Sequence, residues 1–311
     1  MHILILRNKL SYQINMAINY ELLQNYPPKE EDVVYDSRDT MLYALAIGLG
    51  FDPTDRRQLP FVYERDLVAF PTMAMALGHP GWWLGSAGLD ASSTVHASKK
   101  IEILGTLPIE GKLHTRSVVT GVTDKGPGKH ALVHTQRDLW DSATGHHLSR
   151  QINTIIARGQ GGFGGPNPVS APPVSMPSRE PDAICSLPTI SQQALFYRLC
   201  GDRHPLHVDP ELALAGGFSR PILHGLASMG IAAHAVIRTA CDYQINQVKT
   251  IECRFTNPVY PGDALHVRMW YDEPEVLFQV SVLERAEIVI DQGRLELRDR
   301  PTSSARHLKK E

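Results

Sequence analysis

At 311 residues and 34.5 kDa the chain is long enough for one large domain or two of ordinary size. A formal net charge of −2 gives no electrostatic ground for a nucleic-acid partner, and no apolar run is long enough to span a bilayer. The four cysteines, Cys185, Cys200, Cys241 and Cys253, show no C-x-x-C spacing and are expected to be reduced, buried thiols of a reducing compartment.

Met1-His-Ile-Leu-Ile-Leu6 is apolar but too short for a secretory core, and no small-residue cleavage site follows it. Residues 1–20 carry Arg7 and Lys9 and no acid before the chain reaches Met16-Ala-Ile-Asn-Tyr20. A weak organellar presequence therefore stays open beside the plainer expectation, an upstream extension over residues 1–19. Further on, the run from Leu67 to Leu84, with Phe70, Met73, Met75, Trp82 and Trp83, suits either a pocket of variable occupancy or ordinary core. Strands are expected at Val118 to Val122, Ala131 to Leu139 and Ser149 to Ala157. The stretch Arg158-Gly-Gln-Gly-Gly-Phe-Gly-Gly-Pro-Asn-Pro and Ala171-Pro-Pro-Val-Ser-Met-Pro is too rich in Gly and Pro to continue a helix or central strand, so residues 158–183 read as a linker.

Next come Gly201-Asp-Arg-His-Pro-Leu-His207 and Pro221-Ile-Leu-His-Gly225. They set a carboxylate (Asp202) and an imidazole (His207) five residues apart and open an apolar helix, Leu226 to Thr239, at a His-Gly pair. A helix N-terminus directs free N–H groups at a polarised oxygen. Acid, base and oxyanion donor, here the N–H of Gly225, are what proton transfer beside a carbonyl requires. Asp209-Pro210 reads as N-cap and N1 of a helix following the loop. Strands are expected at Lys249 to Phe255, Ala264 to Tyr271, Val276 to Leu283 and Glu287 to Leu297, cut by Pro261-Gly262 and Asp291-Gln-Gly293.

The motif pair resembles the hydratase-2 motif of the MaoC-like (R)-specific enoyl-CoA hydratases, Gly-Asp-x-Asn-Pro-(Leu/Ile/Val)-His. Asp39 to Gly48, Asp124-Lys-Gly126, Gly161 to Gly165 and Arg254 to Gly262 resemble segments of the two-domain hydratase in multifunctional peroxisomal β-oxidation enzymes. The likeness runs from about Tyr20 to about Leu297. It implies reversible hydration of trans-2-enoyl-CoA to (3R)-3-hydroxyacyl-CoA, with an acyl-CoA substrate, no cofactor, no metal, no membrane, and a homodimer. The expected location is cytoplasmic, with a peroxisomal or mitochondrial one open; Leu308-Lys-Lys-Glu311 is not a Ser-Lys-Leu-type address.

Internal repetition points the same way. Met41-Leu-Tyr-Ala-Leu45 echoes Leu195-Phe-Tyr-Arg-Leu199 at an offset of 154, and Leu113-His-Thr-Arg116 echoes Leu265-His-Val-Arg268 at 152. Two nearly equal offsets favour two copies of one fold. The expected class is α+β, a double hotdog in which each repeat is a buried helix wrapped by an antiparallel sheet and the two sheets join. Residues 20–157 are expected to be a degenerate repeat, since Ala46-Ile-Gly-Leu-Gly50 replaces the Asp/His motif, and the resemblance implies that such a half accommodates the acyl chain; residues 184–300 are expected to form the catalytic repeat and 301–311 a tail.

The resemblance adds candidate substrate contacts at His96, Lys125, Arg203, His204, Pro205, Leu206, His224 and Phe255. His204 stands where the family has Asn, which predicts a more acid-sensitive loop, because imidazole offers donor and acceptor together in one tautomer only. Which of Asp202 and His207 is the base is left open. Weaker alternatives are a metal at His204-x-x-His207, a nucleophilic Cys200, a hotdog thioesterase and a non-catalytic acyl-CoA-binding protein.

Overall fold

The computed structural model describes residues 18–89, 93–168 and 174–298; the expected extension up to Ala17, the Ala171-Pro-Pro segment and the C-terminal tail lie outside them. The first half runs α1 (Tyr20–Gln24), β1 (Lys29–Tyr35), α2 (Ser37–Ala46), α3 (Leu59–Val62), β2 (Thr94–Ile103), β3 (Gly111–Asp124), β4 (Ala131–Asp141) and β5 (His147–Ala157). The second runs β6 (Ala183–Pro188), α4 (Gln193–Leu199), α5 (Pro210–Ala215), α6 (Gly225–Ala240), β7 (Val248–Phe255), β8 (Ala264–Asp272), β9 (Glu275–Val282) and β10 (Glu287–Leu297).

The ten strands among the described residues form one antiparallel sheet in the order β1-β3-β4-β5-β2-β7-β10-β9-β8-β6. Each half contributes the same internal order, with its first strand at an outer edge, and the halves meet where β2 pairs with β7, Ile101 opposite Ile251. This is the double hotdog. The echoed segments are equivalent in space: Leu113 and Leu265 are buried on β3 and β8, and Tyr43 and Tyr197 lie 6.1 Å apart where α2 meets α4.

The second repeat wraps a full-length helix. In α6 every residue from Leu226 to Ile237 is buried, as its small and apolar composition demands. Gly230 lets α2 approach closely, for a Cβ there would stand 2.6 Å from Ile47. In the first repeat the corresponding place holds only a five-residue 3-10 helix, Pro71–Met75, also buried. The two sheets are thus alike while their contents differ.

Several expectations need correction. Each half places a strand, β1 or β6, ahead of its longer helices. Strand β2 was not foreseen at all, and β3 begins at Gly111 rather than Val118. Asp291-Gln-Gly293 does not end a strand; it is a bulge inside β10, where the register against β9 slips between Ile290 and Gly293. Cys241 and Cys253 are buried, but Cys185 and Cys200 are only half-buried; all four are free thiols. The start of the Gly-rich stretch is held in place: the Asp124 carboxylate accepts N–H bonds from Gly126 (2.8 Å), Gly162 (2.7 Å), Gly164 (2.8 Å) and Gly165 (3.3 Å).

Candidate active site

The Gly201–His207 loop leaves α4 and presses against the first repeat. Gly201 has φ +146, and a Cβ on it would stand 2.6 Å from the Ala76 carbonyl oxygen, so this contact admits glycine alone. The Asp202 carboxylate accepts the His204 N–H at 3.1 Å, and the His204 Nδ1 accepts the Leu206 N–H at 3.2 Å, capping the 3-10 turn Pro205–His207. An amide oxygen from Asn would fill that same acceptor role. Asp209 then caps α5 with Pro210 at its first position, as its sequence implies.

The His207 ring is fixed by its Nδ1, 2.9 Å from the Ile222 carbonyl. A carbonyl only accepts, so Nδ1 carries the proton and Nε2 presents a lone pair. His224, the N-cap residue of α6, is fully buried; its Nε2–H donates to the Asp202 main-chain carbonyl at 3.0 Å and its ring stacks on His207 at 3.7 Å. No side chain caps α6, so the N–H groups of its first turn, beginning with Gly225, have no local acceptor.

Asp202, His207 and the first turn of α6 face one cavity of about 620 Å³. Of the residues singled out from the sequence, Asp202, Arg203, His204, Pro205, Leu206, His207, Gly225, His96 and Phe255 line it. His224 does not reach the cavity and supports the loop from behind. Lys125 is also outside it, on the turn after β3, with its ammonium 3.1 Å from Asn167 Oδ1. Among the lining residues that went unforeseen are His79, Lys99 and Arg137. His79 sits inside the apolar run from Leu67 to Leu84, with nothing in its spacing to mark it. Its Nε2 lies 4.0 Å from Asp202 Oδ2, and its Nδ1 accepts the Gly81 N–H at 3.3 Å.

Burial opposes charge on Asp202, yet His79, His224 and His207 around it and the His204 N–H outweigh that penalty and hold its carboxyl well below the usual carboxylate range. Burial pushes the imidazoles the other way. His79 and His224 fall to about 3 and His96 to about 4, and His207 is lowered from 6.5 with Asp202 partly opposing. At neutral pH the cluster is one carboxylate among neutral imidazoles.

One donor atom each from Asp202, His207 and His224 lies within 4.8 Å of the others, close enough to ask whether they bind a metal. His207 Nδ1–H and His224 Nε2–H already serve main-chain carbonyls, which leaves each imidazole a single nitrogen for any other partner. Such a set suits a hydrogen-bonded water better than tetrahedral coordination. Cys200, with its thiol pushed up to about 12 chiefly by burial, is no ready nucleophile.

Residues 173–292 match the MaoC like domain family, and residues 34–159 match the MFE-2 hydratase 2 N-terminal domain family. The chain is 37% identical over 290 residues to the peroxisomal enoyl-CoA hydratase 2 of Arabidopsis thaliana, covering 88% of this chain and 93% of that one. It is 35% identical over 273 residues to 3-hydroxyacyl-thioester dehydratase Y of Mycobacterium tuberculosis, covering 84% and 92%. Among solved structures, the MaoC-like dehydratase from Phytophthora capsici superposes with a TM-score of 0.80 at 30% identity, over 92% of this chain and 100% of that one.

Proposed function

Because the chain belongs to the MaoC-like enoyl-CoA hydratase 2 family, we propose that it catalyses reversible addition of water to a trans-2-enoyl-CoA, giving a (3R)-3-hydroxyacyl-CoA in fatty-acid metabolism. The observation that carries this reading is the meeting, at one cavity, of the ionised Asp202, the lone pair of His207 Nε2 and the uncapped first turn of α6.

Asp202 and His207 hold one water between them as joint acceptors. Its oxygen bonds to C3 of the enoyl chain while one of its protons passes through the pair to C2, so no redox partner or cofactor is needed. Negative charge gathers on the thioester oxygen, which the Gly225 N–H stabilises, aided by the α6 dipole. Preorganised proton transfer of this kind contributes roughly 10²–10⁴-fold. His96 and Phe255, whose rings lie 6.5 Å apart, flank the acyl chain. Arg203 and Lys125 supply cationic contacts to the CoA moiety, and Pro205 and Leu206 shape the loop beside it.

The homodimer is part of the same proposal. Leu45, Leu195, Phe196 and Leu199 are exposed on the packed pair α2 and α4, and sedimentation of the purified chain tests whether a second copy covers them. Among the described residues no helix is long and apolar enough to cross a membrane.

The decisive assay follows loss of enoyl-thioester absorbance, with chiral analysis of the product and titration of free thiol. A (3R) alcohol without thiol release is expected. An (S) alcohol, or CoA released as thiol, would overturn the reading in favour of another hotdog activity.

A further inference from the structure

We propose that the inner end of the cavity, where Lys99 and Arg137 stand together, is a carboxylate-binding subsite, and that the preferred acyl chains carry a carboxylate at the end remote from CoA. This rests on the hydration reading and names the substrate class that the same cavity selects.

The cavity has two unlike ends. Trp82, Arg158, Thr256 and Asn257 are exposed and mark its mouth. Its inner wall is the concave face of β2, β3, β4 and β5. There, Lys99 stands opposite Asn153, Asn153 opposite Thr135, and Arg137 between Gln151 and Ser117. Cross-strand partners share a face, so these side chains form one continuous polar patch. An entirely apolar acyl tail would end against it.

The patch holds two cations and no anion. Lys99 and Arg137 are each only 3% exposed. Lys99 Nζ donates to Gln151 Oε1 and to Asn153 Oδ1, both at 2.7 Å. An ammonium has three N–H groups, so one is left for the cavity. The Arg137 guanidinium donates to Gln151 Oε1 at 2.8 Å and to the carbonyls of Gly78 (2.7 Å) and Met75 (2.6 Å). Among the described residues neither side chain has a carboxylate within ion-pair distance. Buried cations are ordinarily paired, and an unpaired one is costly. Burial, and then the Arg137 charge beside it, drives Lys99 toward the neutral amine, against a small opposing effect of Cys253. A carboxylate arriving at the patch would favour the charged ammonium and supply the missing counter-charge to both residues. A methyl-ended chain would instead leave those donors facing hydrocarbon.

The test compares, with the wild-type chain, trans-2-enoyl-CoA thioesters of several lengths that end in a carboxylate, in its methyl ester, or in a methyl group. At the length that reaches Lys99, kcat/KM for the carboxylate should exceed that for the ester and the methyl by about 10²-fold or more, as polar sites discriminate. Lys99→Met, or Lys99→Gln if the first variant does not fold, should collapse that ratio toward unity. Equal values for the three ends at every length, or a ratio untouched by either substitution, would overturn the subsite while leaving hydration itself standing. Should no thioester be hydrated, calorimetry with saturated acyl-CoAs separates the questions: tighter binding of the carboxylate form keeps the subsite, and equal binding ends it.

Discussion

The two repeats share a strand order and differ in what faces inward. On β8 the inward residues Leu265, Val267 and Met269 are apolar and close over α6. On β3 the equivalent positions are Leu113, Thr115 and Ser117, and on the neighbouring strands they include Arg137, Gln151 and Lys99. The second repeat is filled by its own helix and directs the helix N-terminus, with the Asp202–His207 loop, at a cavity. The first repeat has only the short segment Pro71–Met75 in that place and leaves room. On the proposed reading, one duplicated sheet thus yields a reactive half and a receiving half. The physical difference lies in one helix and the polarity of one face.

That comparison can be broken at its reactive side first. His207→Gln removes one of the two proposed water acceptors but keeps a polar side chain of similar reach, and kcat should fall by roughly 10²–10⁴-fold with an unchanged circular dichroism spectrum. A loss under tenfold would remove His207 from the chemistry. Gly225→Pro comes next. Proline is favoured at the first position of a helix, so α6 should persist while the proposed oxyanion donor disappears. The expected cost is about 2.7–4 kcal/mol in the barrier. Gly225→Ala keeps the N–H and meets Phe255 at an ordinary 3.5 Å, so it should lose much less. If both variants lose activity equally, shape rather than the N–H explains Gly225.

The seam between the halves gives a smaller effect. Gly201→Ala places a methyl group against the Ala76 carbonyl at a backbone angle favouring glycine, and should destabilise the protein by about 1–3 kcal/mol, read as a lower Tm. An unchanged Tm would mean that the loop and the first repeat are not tightly joined.

Smallest is the pH dependence. His207 acts unprotonated and its pKa is lowered from 6.5, while Asp202 stays ionised far below that. Activity should therefore be present above pH 6.5 and be lost as pH falls through the His207 value. Asn in place of His204 keeps an acceptor for the Leu206 N–H, so His204→Asn should change the neutral rate only slightly, and a large loss would show that the imidazole itself is needed there.

The sequence spoke most clearly in the reactive half, where Asp202, His207 and Gly225 lie in one continuous stretch and the strands alternate cleanly. Helix α6 was legible to within a residue at each end for the same reason. The receiving half hid its strands behind its own inner polarity. In β2 the inward set is Ala97, Lys99, Ile101 and Ile103, and a lysine in that row breaks the alternation by which strands are recognised. Inward Thr115 and Ser117 shortened β3 in the same way. His79 reaches Asp202 only through the folded path between repeats, and no local spacing could have marked it. Asp291-Gln-Gly293 looked like a turn because bulges and turns use the same residues.

The central claim is that a carboxylate and an imidazole from the second repeat activate water on a chain lodged against the first. Its most direct test is Asp202→Asn, measured both for enoyl-CoA hydration and for binding of a saturated acyl-CoA. The account predicts that turnover falls by roughly 10²–10⁴-fold while binding is kept. Hydration at an undiminished rate in Asp202→Asn would contradict it.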